Sequence, residues 1–251
     1  NGEGARDNAD TDVGNIILDA RYTPNLEHEV AAQLQYYDVD AGLPGALSPA
    51  AYQDDLTQSQ RPHDGYNADM LRGTLTWTFT PNDDVEFQWR NFAHDADRTF
   101  YFGQRLGTGD HWADPSLPST HLADSPRLFT VYGTEPRLTL RQNNHTFTLG
   151  ARYIREEVEF DVNRLEFATD NYANVRDWNF ETEAWAAYAS DTISLMNGRL
   201  DVTPGIRYEN VTTNYNDGIS GTADENNVSE WLPGLTVGFQ ATKDLFVYTN
   251  A

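Results

Sequence analysis

"LRGTLTWTFTPNDDVEFQWR", residues 71–90, carries two strand patterns around one turn. Leu71, Gly73, Leu75, Trp77 and Phe79 fall on one face, against Arg72, Thr74, Thr76 and Thr78 on the other. A period of two marks a strand with one apolar and one polar side. After "PNDD" the alternation restarts, with Val85, Phe87 and Trp89 against Glu86, Gln88 and Arg90. Pro, Asn and Asp favour tight reversal, so the unit reads as a β-hairpin.

The same rhythm recurs along the chain. "HEVAAQLQYY" sets Val30, Ala32, Leu34 and Tyr36 against Ala31, Gln33, Gln35 and Tyr37. "TFTLGARY" sets Phe147, Leu149, Ala151 and Tyr153 against Thr148, Gly150 and Arg152. "RLDVTPGIRYE" sets Leu200, Val202, Pro204, Ile206 and Tyr208 against Asp201, Thr203, Gly205, Arg207 and Glu209. Ten strands are predicted, near 14–23, 28–40, 67–80, 84–94, 128–141, 145–155, 181–195, 199–210, 230–240 and 245–251. In "AWAAYASDTISL" the pattern does not say which face is apolar.

The connections alternate in length. "TPNLE", "TPNDD", "RQNNH", "LMNGR" and "ATKD" are short and turn-rich, whereas long loops are predicted near 40–66, 95–127, 156–180 and 211–229. Short, long, short, long is the rhythm of an antiparallel outer-membrane β-barrel, with tight periplasmic turns and long extracellular loops. Strands of about 10–14 residues suit a tilted crossing of the hydrocarbon layer, which needs about 9–11. A soluble sandwich shares the alternation but uses shorter strands and less regular loops.

Composition narrows the function. The 251 residues carry a net charge of −22, with an isoelectric point near 4.4. Nucleic-acid binding needs a basic footprint and is excluded as a partner class. No cysteine is present, so neither disulfides nor thiolate metal sites can form. Mean hydropathy is −0.65, and no apolar run reaches the ~18–20 residues of a membrane helix. Barrels escape both tests, because only alternate residues meet lipid.

The stretch "GLPGALSPAAYQDDLTQSQRPHDGY", residues 42–66, is too long for a hairpin turn. Its prolines limit backbone freedom and lower the cost of ordering it over a ligand. Arg61 offers a planar donor fork for a carboxylate-bearing ligand, or else pairs with Asp54, Asp55 or Asp64. The stretch resembles a loop of TonB-dependent outer-membrane receptors of the ferric dicitrate type. There a Pro-Gly-Gly-Leu-(Thr/Ser)-Pro run leads to Ser-x-Arg-Pro-x-Asp; here Ala46 replaces the second glycine. "AAYASDTISLMNGRLDVTPGIRYE" (186–209) and "WLPGLTVGFQATKDLFVYTNA" (231–251) resemble later hairpins of the same family.

The resemblance implies that residues 1–251 form about ten strands of a 22-stranded barrel domain. A plug domain and a TonB box, neither matched in this chain, would complete the receptor. It implies active uptake of a ferric chelate, a ferric citrate-like siderophore, energised through TonB from within outer-membrane lipid. No cofactor is expected; the ferric chelate is cargo. An anionic chelate calls for arginines on external loops or high on the lumen face. The candidates are Arg61, Arg98, Arg105 and Arg127, with Gln104, Tyr101 and Trp112 for hydrogen bonds and shape. Arg72, Arg90, Arg137, Arg152 and Arg207 are expected to solvate the lumen or touch a plug. Strong acidity opposes an anionic ligand unless local arginines dominate within about one Debye length, ~8–10 Å.

Three alternatives stand beside this. A surface protease at a barrel mouth would use His94/Asp95/Asp97 or His111/Asp110/Asp114. His111 and His121, with Asp110, Asp114 and Asp124, could also collect a metal. A passive porin would need only an open lumen, and a soluble sandwich would bind carbohydrate through tryptophans.

Overall fold

The computed structural model of the chain describes residues 2–106 and 117–251. The strands are β1 (Thr11–Tyr22), β2 (His28–Gly42), β3 (Gly65–Asn82), β4 (Val85–Gln104), β5 (His121–Gln142), β6 (His145–Glu166), β7 (Asn171–Leu195), β8 (Leu200–Asp217), β9 (Ala223–Thr242) and β10 (Leu245–Asn250). One short helix, α1 (Pro49–Asp54), interrupts the β2–β3 connection. All ten strands form a single antiparallel meander in sequence order.

The predicted number of strands is found, but most run further than the alternation signalled. β7 is 25 residues long, more than twice the about 9–11 that a tilted crossing needs. Two predicted long loops are therefore corrected. The span 156–180 is strand apart from residues 167–170, and 211–229 is strand apart from residues 218–222. The ladder continues where the outward face turns polar, so backbone pairing persists after the apolar signal has stopped. The first long loop remains as residues 43–64, whereas the predicted 95–127 narrows to 105–120 because β4 runs to Gln104 and β5 starts at His121; residues 107–116 lie outside the described residues.

Register assigns every side chain to a face, because directly paired residues project the same way. Leu34, Gly73, Ala93 and Tyr132 form one outward row, and Val30, Trp77 and Trp89 another. On β7, Trp185, Ala187 and Ala189 pair with Tyr153, Ala151 and Leu149, which settles the ambiguous "AWAAYA". Many of these outward side chains are exposed, including Leu34, Leu75, Leu149, Ile206 and Leu235. So much contiguous exposed apolar surface is an interface with lipid or protein.

Two aromatic girdles bound the band. Nearest the short turns, His28 stacks on Phe79 at 4.7 Å, and Trp77 meets Phe87 edge-on at 5.7 Å. At the opposite edge Trp185, Tyr208 and Trp231 follow one another at 5.1 and 4.8 Å. Aromatic rings prefer the two interfaces of a bilayer, so a hydrocarbon layer fits between them.

The short turns rest on local chemistry. Asn25 Oδ1 accepts hydrogen bonds from the backbone N–H groups of Glu27 and His28, at 2.9 and 3.0 Å. At the other end of the sheet, residues 43–64 fold against the chain's first residues. Arg6 donates to Pro44 O, Gly45 O and Gln58 O, and Asn8 Nδ2 donates to Leu43 O, Arg61 O and Asp64 O. Gly45 has φ +64°, a left-handed conformation. Ala46 does not, so the backbone tolerates its methyl group where the family pattern has a second glycine.

Candidate functional site

Above the band, at the loop end, the lumen face carries a row of arginines and rings. Arg98 and Arg127 are direct cross-strand partners on β4 and β5, and Arg127 is in turn paired with Phe160 on β6. The guanidinium carbon of Arg98 lies 4.6 Å from the centre of the Phe129 ring. That of Arg127 lies 4.0 Å from Phe160, and that of Arg176 lies 4.0 Å from Trp178 and 5.0 Å from Phe160. Rings hold the guanidinium planes in place while leaving their edges to donate.

None of these three arginines forms an ion pair among the described residues. The Nε atoms of Arg98 and Arg127 are buried without a hydrogen-bond partner among the described residues. Burial, and then the charges of Arg98 and Arg176, pull the Arg127 guanidinium below its ordinary value. A carboxylate or phosphate placed among three like charges relieves their mutual repulsion.

The other candidates take different places. Gln104 is on the lumen side, where its Oε1 accepts from Arg164 Nε at 3.2 Å. Arg105 begins the next loop; its Nη1 donates to Pro118 O at 3.1 Å, while its Nε is buried without a partner among the described residues. Arg61 is only 6% exposed. Its side-chain stem packs where a Cβ on Gly45 would stand, 2.6 Å away. It therefore sits inside the folded 43–64 loop rather than on its rim. Tyr101 projects outward, on the opposite side of the wall from Arg98 and Arg127. It faces a polar network in which Tyr172 Oη and Asn163 Nδ2 each donate to Asp124 at 2.8 Å. Burial, and then the bond to Asp124, push the Tyr172 hydroxyl up to about 12. Trp112, and the Asp110, His111 and Asp114 group, lie outside the described residues.

Sequence reading misses Arg176, because it assigns 156–180 to a loop. The signal was there: in "VRDWNF" Arg176, Trp178 and Phe180 alternate with Asp177 and Asn179. The same alternation breaks the proposed protease group. His94 pairs with Arg72 on the lumen face, whereas Asp95 and Asp97 pair with Leu71 and Asp69 on the outer face.

Facing also sorts the charges of so acidic a chain, although Glu156, Glu166, Asp217 and Asp224 share the lumen face with the arginines. Every strand arginine except Arg155 lies on the lumen side. Above the band the outer wall instead carries Asp38, Asp40, Asp69, Asp95, Asp97, Asp124, Glu157, Glu159, Asp161, Glu181 and Glu183. Arg155 is surrounded there by Glu157, Glu181 and Glu183 at 2.8, 2.7 and 3.4 Å. Most outer carboxylates are thus separated from the mouth by the sheet itself.

Comparison with known proteins agrees with this architecture. The sequence profile of a family described as "TonB dependent receptor-like, beta-barrel" matches residues 9–251. Among solved structures, the ferric citrate transporter FecA, in its unliganded form, aligns with 98% of this chain at 28% identity and a TM-score of 0.86. The siderophore receptor PiuA from Acinetobacter baumannii covers the whole chain at 12% identity and a TM-score of 0.77. The copper transporter OprC covers 96% at 14% identity and a TM-score of 0.69. The last two share the fold alone. The chain spans 36% of the length of the ferric citrate transporter. Barrels of this kind sit in the outer membrane of Gram-negative bacteria, so the short turns are periplasmic and the loop end is extracellular. Theirs is a family of transport receptors rather than of enzymes. From residue 9 to its end, this chain belongs to the TonB-dependent receptor β-barrel family.

Proposed function

We propose that this chain forms part of the wall and mouth of a receptor that imports an anionic ferric chelate of the ferric citrate kind, driven through TonB. One observation carries the reading: Arg98, Arg127 and Arg176 line the extracellular lumen face, held by rings and free of ion pairs among the described residues. A carboxylate-rich chelate supplies the bidentate acceptors that guanidinium forks match. Gln104 and Arg164 extend the polar surface along the same face, and Arg105 stands at its rim. Arg61 acts indirectly, by holding the 43–64 loop in shape. The 28% identity with the ferric citrate transporter supports the choice of cargo. No resident metal or cofactor enters the mechanism, since the iron arrives and leaves as cargo.

The test is iron uptake by cells whose only ferric citrate receptor is the outer-membrane protein containing this chain. Labelled iron should accumulate from ferric citrate when TonB is present and stop when it is deleted. Accumulation independent of TonB would remove the energised-transport reading. Accumulation from a cationic ferric chelate but not from ferric citrate would remove the anionic cargo.

A further inference from the structure

One ring on β6 serves two arginines. The guanidinium carbon of Arg127, reaching from β5, lies 4.0 Å from the centre of Phe160, and that of Arg176, reaching from β7, lies 5.0 Å from the same centre. Register explains the convergence. Arg127 and Trp178 are the direct cross-strand neighbours of Phe160, and Arg176 stands two residues from Trp178 toward the mouth. Trp178 meets Phe160 edge-on at 5.7 Å, and Phe180 and Tyr215 meet Trp178 at 6.4 and 5.9 Å, so the shared ring is fixed by its own neighbours. Two long side chains of like charge have the rotamer freedom to turn apart, yet both converge here, where the electron-rich ring face offsets their repulsion. Arg98 stands aside from the pair, over Phe129 at 4.6 Å.

A second shared ring gives the contrast. Deeper in the lumen, Arg90 and Arg152 lie 5.8 and 5.6 Å from the centre of Phe92. There Glu135 Oε2 stands 4.0 Å from Arg152 Nε and answers the charge from within the wall. At Phe160 neither guanidinium pairs with a carboxylate among the described residues. We propose that Phe160 is a specificity-determining residue: by holding Arg127 and Arg176 at one spacing, it selects chelates that offer two carboxylates of a single ligand at once over chelates with one anionic group. This rests on the anionic-chelate reading above. Once one carboxylate is held, the second binds at the high effective concentration that a fixed spacing provides. The rings have already ordered both arginines in the folded wall, which lowers the cost of binding.

The test is equilibrium binding of labelled ferric citrate to the purified whole receptor, with a ferric trihydroxamate bearing one carboxylate as competitor. Heat-modifiable gel migration checks that every variant has assembled. Phe160→Leu should weaken ferric citrate about three- to tenfold, the scale of one cation–π contact, and weaken the competitor clearly less. Phe160→Tyr, which keeps the ring, should recover most of the loss. Arg127→Gln and Arg176→Gln should be non-additive in the parent, since each alone already breaks the two-carboxylate grip. Their effects should multiply once Phe160→Leu has uncoupled them. Phe129→Leu should weaken binding through Arg98 and leave that coupling in place. Unaltered ferric citrate affinity in Phe160→Leu, equal losses for the two chelates, or arginine effects that multiply in the parent as well would overturn the inference and leave the anionic-chelate reading standing. A parent that does not bind ferric citrate would overturn both.

Discussion

The Arg127 guanidinium carbon lies 4.0 Å from the centre of the Phe160 ring, its direct cross-strand neighbour. A ring face holds the cation without occupying its N–H groups, so the charge is positioned but not neutralised. Replacing Arg127 with Ala should weaken ferric citrate binding about 10- to 100-fold, the range for one charge-assisted hydrogen bond. Arg127→Lys should restore little, because an ammonium lacks the planar fork. Phe160→Leu should weaken binding less, since it releases the arginine without deleting it. Binding of labelled chelate to intact cells measures all three.

The lipid-facing band predicts where charge is forbidden. Leu75 stands in the middle of the outward face of β3, between Gly73 and Trp77, and is exposed. Leu75→Arg should destabilise the barrel by about 2–4 kcal/mol, the cost of a guanidinium near the bilayer midplane. Thr74→Arg, one residue away on the lumen face, should cost far less. Denaturant unfolding in lipid vesicles compares the two, and equal losses would contradict the assigned facing.

Gly45 adopts φ +64° directly against the Arg61 stem. Gly45→Ala should cost about 1–2 kcal/mol from the left-handed backbone, with more from displacing Arg61. The loop should then open locally rather than unfold the sheet, because Arg6 and Asn8 hold it at its base and its bond to β4, from Gly103 N–H to Asp64 Oδ1 at 2.8 Å, is not a ladder pair. Limited proteolysis of cells should show faster cleavage within residues 43–64 and an unchanged barrel.

Asp97 lies on the outer wall above the band, where burial, and then Asp69 and Asp95, raise its carboxyl above the ordinary range. The folded state therefore binds a proton at a pH where the unfolded chain has released it. Stability must rise as pH falls from neutral through that raised value toward the ordinary carboxylate range, about 4. Asp97→Asn should raise the temperature of heat-modifiable migration at neutral pH and flatten its pH dependence. A variant that melts earlier at neutral pH would contradict the repulsion.

Residues 71–90 made the fold legible, because an apolar band facing lipid writes a period of two into every crossing strand. The signal fades where that band ends. Glu157, Glu159 and Asp161 alternate with Val158, Phe160 and Val162, but acid outside and ring inside do not resemble a membrane strand. Reading them as loop hid Arg176 and its stacking on Trp178. Arg98 and Arg127 were legible as cations near a mouth. That Tyr101 faces away from Arg98 follows from the period of two once both are on one strand, and that Arg127 shares the face of Arg98 follows only from the β4–β5 register. Arg61 stood out by its motif, and its burial against Gly45 is a long-range property that no local pattern carries.

The most direct measurement is equilibrium binding of ferric citrate to the purified receptor and to one carrying Arg98→Gln, Arg127→Gln and Arg176→Gln together. The parent should bind with an affinity that falls as salt rises, and the triple variant should assemble normally and lose binding. Unchanged affinity in the assembled triple variant would contradict the claim that these three arginines form the anion site.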